Sequence, residues 1–278
     1  MPRPLRIFKI RRYNAMSKTI AIISWKGGVG KTTSAVNLSS YIQMQKRKVC
    51  VVDLDPQHSM SKHLGVFPGH LKNKPTMYDL LSAAIDEAGD TEINELIHKS
   101  IIKTTTVDLI PATAKLSALD KVLPTATCRE QLLKNILKFI RDEYDYMFID
   151  CHPGGDLFAI NALTAADSVI IPVEAHVMSS DGLEQVEKMI RTVQKHLNPN
   201  LKIEGIIITK FQQNTNCCKR IRDMVTENFG ERIHIFNDNI KYSIKVAEAP
   251  EFGISIHEYA PQNDTAKAYA NIALEVMQ

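Results

Sequence analysis

Long apolar runs are missing from this 278-residue chain. None approaches the roughly 20 residues that a membrane-spanning helix needs, so no membrane partner is expected. Cysteine is sparse too. The five present (Cys50, Cys128, Cys151, Cys217 and Cys218) form no C-x-x-C pair and have no histidine at metal-binding spacing. That pattern excludes a zinc framework and a disulfide scaffold, and idle reduced thiols suit a cytoplasmic protein. Internal repeats and low-complexity linkers are likewise absent. With 44% hydrophobic and 23% charged residues, the chain can bury a sizeable core, and one domain is the economical reading.

A general excess of basic charge is also lacking once its origin is traced. The formal net charge is +3, yet Arg3, Arg6, Lys9, Arg11, Arg12 and Lys18 crowd the first 18 residues with no acid among them. Without those six, 28 bases face 31 acids, a net of −3. Any surface for a polyanion must therefore be local. Residues 1–17 read as a disordered basic extension, or as codons upstream of a start at Met16, and residues 18–278 as a single domain. The extension has charges among its apolar residues and no small-residue cleavage site, unlike a secretion signal.

What is present is an alternation of short β-branched runs with longer helical stretches. Strands are expected at Thr19–Ser24, Lys48–Asp53, Val107–Ile110, Tyr146–Asp150, Ser168–Val173 and Ile203–Thr209. Continuous apolar runs of this kind mark strands covered on both faces. The predicted fold is therefore α/β, a mostly parallel twisted sheet with helices on both sides. Helices are predicted over Lys31–Gln45, over Leu183–Leu197 with an apolar face of Leu183, Val186, Ile190, Val193 and Leu197, and over Asp264–Met277. Residues 67–106 are less regular and read as an inserted helical layer.

The segment Trp25-Lys26-Gly27-Gly28-Val29-Gly30-Lys31-Thr32-Thr33 joins the first strand to the first helix. Its second half satisfies G-x-x-x-x-G-K-[ST], while Trp25 stands where that motif begins with glycine. Glycines let the backbone curl round an anion, and the helix start aims its amides at it. In this reading Gly27, Gly28, Val29, Gly30, Lys31, Thr32 and Thr33 cradle phosphate. Lys31 neutralises its charge and the Thr32 hydroxyl ligates Mg²⁺.

K-G-G-V-G-K-T-T resembles the deviant Walker A box of the P-loop superfamily that contains ParA, MinD and the nitrogenase iron protein. The resemblance implies ATP as the nucleotide and Lys26 as a signature lysine reaching the ATP of a second subunit in an ATP-dependent homodimer. Val52-Asp53-Leu54-Asp55-Pro56-Gln57 is similar to the family's first switch, which implies that Asp55 positions the attacking water and Asp53 supports the metal. Phe148-Ile149-Asp150-Cys151-His152-Pro153 resembles the Walker B and second switch, with Asp150 holding a Mg²⁺-bound water. Here His152 replaces the first proline of D-x-P-P, a departure that bears on hydrolysis rate. Asn37, in T-T-S-A-V-N-L, also matches a family position and is expected to face the switches.

The late segment Ala247-Glu248-Ala249-Pro250-Glu251-Phe252-Gly253, with Tyr259-Ala260-Pro261, resembles the signature of ParA/Soj-type partition ATPases. That likeness implies slow ATP hydrolysis stimulated by a ParB-like partner, binding to non-specific DNA, and a place on the nucleoid. Lys219, Arg220, Arg222, Lys241 and Lys245 are candidate DNA contacts, with solvated helix charges as the plain alternative. The family's D-A-R-T-N arginine falls on Asn214, so that contact is not carried over. The usual I-P-R-N before the signature is Ile240-Lys241-Tyr242-Ser243, which alters the region over the nucleotide base. Two alternatives remain: a MinD-like ATPase positioning a protein complex, and a nucleotide-binding scaffold or repressor with very slow hydrolysis. Against the MinD branch, the last helix lacks a basic amphipathic tail.

Overall fold

The computed structural model describes residues 17–175, 179–212 and 215–278. The basic extension and Asn214 lie outside them, save for Ser17. Among the described residues, seven strands form one sheet in the order β3-β4-β2-β5-β1-β6-β7. They are β1 Lys18–Ile22, β2 Val49–Leu54, β3 Ile102–Lys103, β4 Asp108–Ile110, β5 Tyr146–Cys151, β6 Ser168–Glu174 and β7 Lys202–Thr209. All pairings are parallel except that of β3 with β4 at the edge. The two-residue β3 was not expected, since it is too short to carry an alternating pattern.

The helices are α1 Lys31–Met44, α2 Ser59–His63, α3 Met77–Ile85, α4 Asp90–Ser100, α5 Leu132–Leu137, α6 Leu157–Ala165, α7 Ser179–His196, α8 Asn216–Phe229, α9 Ile244–Glu248, α10 Ile256–Tyr259 and α11 Asp264–Val276. Among the described residues no helix is long and apolar enough to cross a membrane. The stretch 67–106 holds the two short helices α3 and α4. Their buried faces, Met77, Leu80, Leu81, Ile93 and Ile97, share one core with α5, α6 and the face of α7 carrying Leu183, Val186, Ile190 and Val193. The opposite face of the sheet is covered by α1 and α11.

Helix α1 is buried nearly all round, from Ser34 to Ser40 and at Ile42. Small side chains at Ser34, Ala35, Ser39 and Ser40 let the sheet and α11 approach it closely. Its end is set by Lys46, which turns left-handed at φ 62°. Tyr269 of α11, wholly buried, meets the Ser34 hydroxyl at 3.2 Å, and Ile272 and Ala273 fill the rest of that contact. Three functional loops leave neighbouring strands at their carboxyl ends. β1 lies between β5 and β6, and β2 flanks β5, so the loops after β1, β2 and β5 converge on one crevice.

Because α11 clamps the helix that follows the phosphate-type loop, loosening it should cost stability globally. Ile272→Ala is expected to destabilise the protein by about 2–5 kcal/mol, read as a lower urea midpoint with an unchanged slope.

Candidate functional site

The loop after β1 is bent by Gly28 (φ 74°) and Gly30 (φ 88°), both left-handed, where a side chain would be strained. Gly30 is the N-cap of α1 and offers no side chain to the first turn. The leading amides of α1 therefore face the loop without a side-chain cap, an arrangement suited to an anion. From beneath, the Thr209 hydroxyl at the end of β7 donates to the carbonyl of Val29 at 2.8 Å and to that of Val173 at 3.2 Å. The cradle is thus fixed to two strands besides its own.

Thr32 and Asp150 meet directly: the hydroxyl donates to Oδ2 at 2.6 Å. Asp150 is wholly buried, and its other oxygen, Oδ1, has no hydrogen-bond partner among the described residues. An orphaned carboxylate oxygen beside a threonine hydroxyl fits a divalent cation or its water ligand. Burial first, then the neighbouring Asp53 carboxylate, push the Asp150 pKa up to about 8. Asp53 and Asp150 are direct partners in the β2–β5 register. Lys31 is also buried, and its desolvation lowers its pKa, with the charges of Asp150, Cys151 and Asp55 pulling the other way.

Asp53 itself is engaged elsewhere. Its Oδ2 accepts from the Ser61 amide at 2.8 Å and hydroxyl at 2.7 Å, and Oδ1 accepts from the Asp55 amide at 3.2 Å. Both Asp53 oxygens thus accept hydrogen bonds that brace the turn into α2, while its carboxylate stands beside Asp150. Burial raises its pKa to about 6 against these hydrogen bonds. Asp55, also buried, accepts from the Gln57 amide at 2.8 Å through Oδ1.

Among residues that sequence reasoning underrated, Asn37 stands out. Its Nδ2 donates to the Thr33 carbonyl at 2.7 Å, and its Oδ1 accepts from the Ile256 amide at 2.8 Å. His257, neutral because burial lowers its pKa to about 4, donates from Nε2 to the Asn37 carbonyl at 3.1 Å. Asn37 therefore faces α10 rather than the switches. It ties the loop helix to the segment that follows the A-E-A-P signature.

The candidate DNA residues fall into two groups. Lys219 and Arg220 are exposed on α8 and Arg222 is half-buried there. Lys241 is paired with Asp264 at 2.9 Å and Lys245 with Glu248 at 2.9 Å. Exposed Tyr242 and Ile244 lie beside them in the altered segment before the signature.

A family model described as an AAA domain matches residues 17–203. The sporulation initiation inhibitor protein Soj of Bacillus subtilis is 38% identical over 264 residues, spanning 94% of this chain and 98% of that protein. The chain belongs to the ParA/Soj family of P-loop ATPases. The chromosome-partitioning ATPase Soj of Treponema pallidum is 37% identical over 94% of this chain and 98% of its own length. Among solved structures, a putative plasmid partition protein of Borrelia burgdorferi bound to AMPPNP superposes with a TM-score of 0.75 at 27% identity, covering 94% of this chain and 98% of that one.

The buried Asp150 gives a pH test. An acid with a raised folded-state pKa favours the native state while protonated. That contribution is whole below the ordinary carboxylate value of 3.8 and is lost as pH rises through about 8. The urea midpoint of the nucleotide-free protein should therefore fall between about pH 4 and pH 8 and level off above that, and Asp150→Asn should flatten the fall. Parallel profiles for the two proteins would contradict the assignment.

Proposed function

We propose that this ParA-like ATPase binds ATP with Mg²⁺ in the loop Gly27–Thr33, dimerises face to face, and uses the dimer to hold non-specific DNA for partition of a chromosome or plasmid. The observation that carries this reading is the orphaned, buried Asp150 oxygen bonded into the Thr32 pair at an uncapped helix start. The Soj and plasmid-partition relatives supply the nucleotide and the biological setting.

Each residue then has a task. The amides from Gly27 to Thr33 surround the β- and γ-phosphates, and Lys31 neutralises them from a desolvated position. Thr32 and Asp150 hold magnesium, which when bound screens phosphate charge and polarises the transferred group. Asp55, kept in place through its links to Asp53 and Gln57, orients the attacking water. Lys26, exposed on the outer lip of the loop, reaches the partner subunit's nucleotide. Hydrolysis removes the γ-phosphate that holds the switches and the dimer together, so DNA is released. A ParB-like partner accelerates that step and sets the timing on the nucleoid.

Phosphate release should be slow for the protein alone and rise when DNA and a ParB-like partner are added. Asp55→Ala should lose about 10²-fold or more of the stimulated rate while still binding ATP. Equal rates for Asp55→Ala and the native protein would remove the hydrolysis claim. Lys26→Ala is expected to bind ATP yet sediment as a monomer with AMPPNP and Mg²⁺.

DNA binding should be insensitive to sequence and weaken steeply with salt. Replacing Lys219 and Arg220 by alanine should lower the slope of log affinity against log salt by about one for each phosphate that is no longer neutralised. An unaltered slope, measured by anisotropy with two unrelated duplexes, would move the DNA surface away from α8.

A further inference from the structure

Trp25 takes the place of the first glycine of the phosphate motif and is the chain's sole tryptophan. Its side chain occupies a niche bounded by two glycines, one under the indole and one beside its Cβ. A Cβ on Gly155 would stand 2.8 Å from Trp25 Cζ3 and 3.1 Å from Cη2. A Cβ on Gly182 of α7 would stand 3.5 Å from Trp25 Cβ and 3.8 Å from both Cγ and Cε of Lys26. Alongside the ring, the Gly154 amide donates to the Ser24 carbonyl at 3.3 Å, and Gly27 lies against Pro153. Residues 24–27 are therefore laid along residues 153–155. The far side of that second segment is anchored too. His152 Nδ1 meets Asp156 Oδ2 at 3.0 Å, and the Asp156 carboxylate caps α6 through the Ala159 amide at 2.9 Å.

We propose that Trp25 is a positioning residue whose indole, seated on Gly155, and whose Cβ, against Gly182, set where Lys26 stands and couple it to the segment after Asp150. The proposal rests on the role given to Lys26 above. Its physical basis is the rigidity of a planar ring with only two side-chain torsions. A shift of Gly155 displaces the ring, and the ring drags the backbone of the residue next to Lys26. Trp25 is 41% exposed, and a pocket of about 90 Å³ between it, Lys26, Leu183, Val186 and Ile171 leaves room for that movement.

Gly155 offers a clean probe, because its backbone is not left-handed, whereas Gly154 turns at φ 110°. Alanine at 155 perturbs the ring contact without straining the chain. In stimulated phosphate release, Trp25→Ala should lower kcat about 10-fold while the KM for ATP moves less than about twofold, and Trp25→Phe should recover most of the loss. Gly155→Ala should resemble Trp25→Ala, and adding it to Trp25→Ala should cost nothing more, since the clash requires the indole. Native tryptophan emission should change with AMPPNP and Mg²⁺, and Gly155→Ala should alter it before nucleotide is added.

A Trp25→Ala enzyme with native kcat, or additive losses in the double variant, would overturn the proposal. So would native emission unmoved by AMPPNP under conditions where the dimer forms. If Lys26→Ala is impaired while Trp25→Ala is not, only the coupling fails. If Lys26→Ala itself dimerises and turns over normally, the reading of Lys26 fails first. Urea midpoints for all variants separate these outcomes from loss of folding.

Discussion

The structure depends on a buried carboxylate held without full compensation. Asp150 sits at the carboxyl end of β5, wholly out of water, with one oxygen on Thr32 and the other unpartnered among the described residues. Its sheet neighbour Asp53 is also a buried acid. Two carboxylates side by side in a dry crevice are unfavourable while both are charged, and a cation relieves that repulsion. In the proposed function, a metal-bearing anion would relieve the repulsion within that pair. The uncapped start of α1 completes the match by offering amides where the phosphates belong.

The remainder of the fold keeps this arrangement rigid on one side and adjustable on the other. The loop is pinned from below by Thr209 and through α1 by α11, and Asn37 fastens α1 to α10. Asp53 accepts from Ser61 through Oδ2, and the Ser61 hydroxyl in turn accepts from the Ala112 amide beyond β4 at 3.1 Å. The first switch is thereby tied across the sheet. The segment 152–156 is held by one backbone hydrogen bond, from the Gly154 amide to the Ser24 carbonyl, by the half-exposed His152–Asp156 pair and by the indole over Gly155. Replacing the family's proline by His152 exchanges a covalent restraint for a hydrogen-bonded one.

Much of this was legible in the sequence. Strand starts and ends, α1 and the phosphate loop follow from apolar runs that stop at Asp53 or Asp150 and from glycines before Lys31-Thr32. The apolar face of α7 was equally plain, because its 3.6-residue spacing is long and uninterrupted. The short edge strand β3 and the bracing of Asp53 by Ser61 were not visible. The first is too short to show a period. The second depends on Ser61, eight residues on, folding back to meet the carboxylate. The role of Asn37 was hidden for the same reason, since its partners lie more than two hundred residues away at Ile256 and His257.

By itself the sequence determined the fold class, the glycine-bent loop before α1 and the family, because these rest on local chemistry: a glycine's backbone freedom, a lysine and threonine at a helix start, acids at strand ends. Tertiary structure alone decided which acid is left unsatisfied, which is spent on bracing, and why Trp25 can stand where glycine is usual. Those outcomes depend on distances between segments far apart in the chain, and a niche bounded by Gly155 and Gly182 exists only once the sheet has brought the two loops and α7 together.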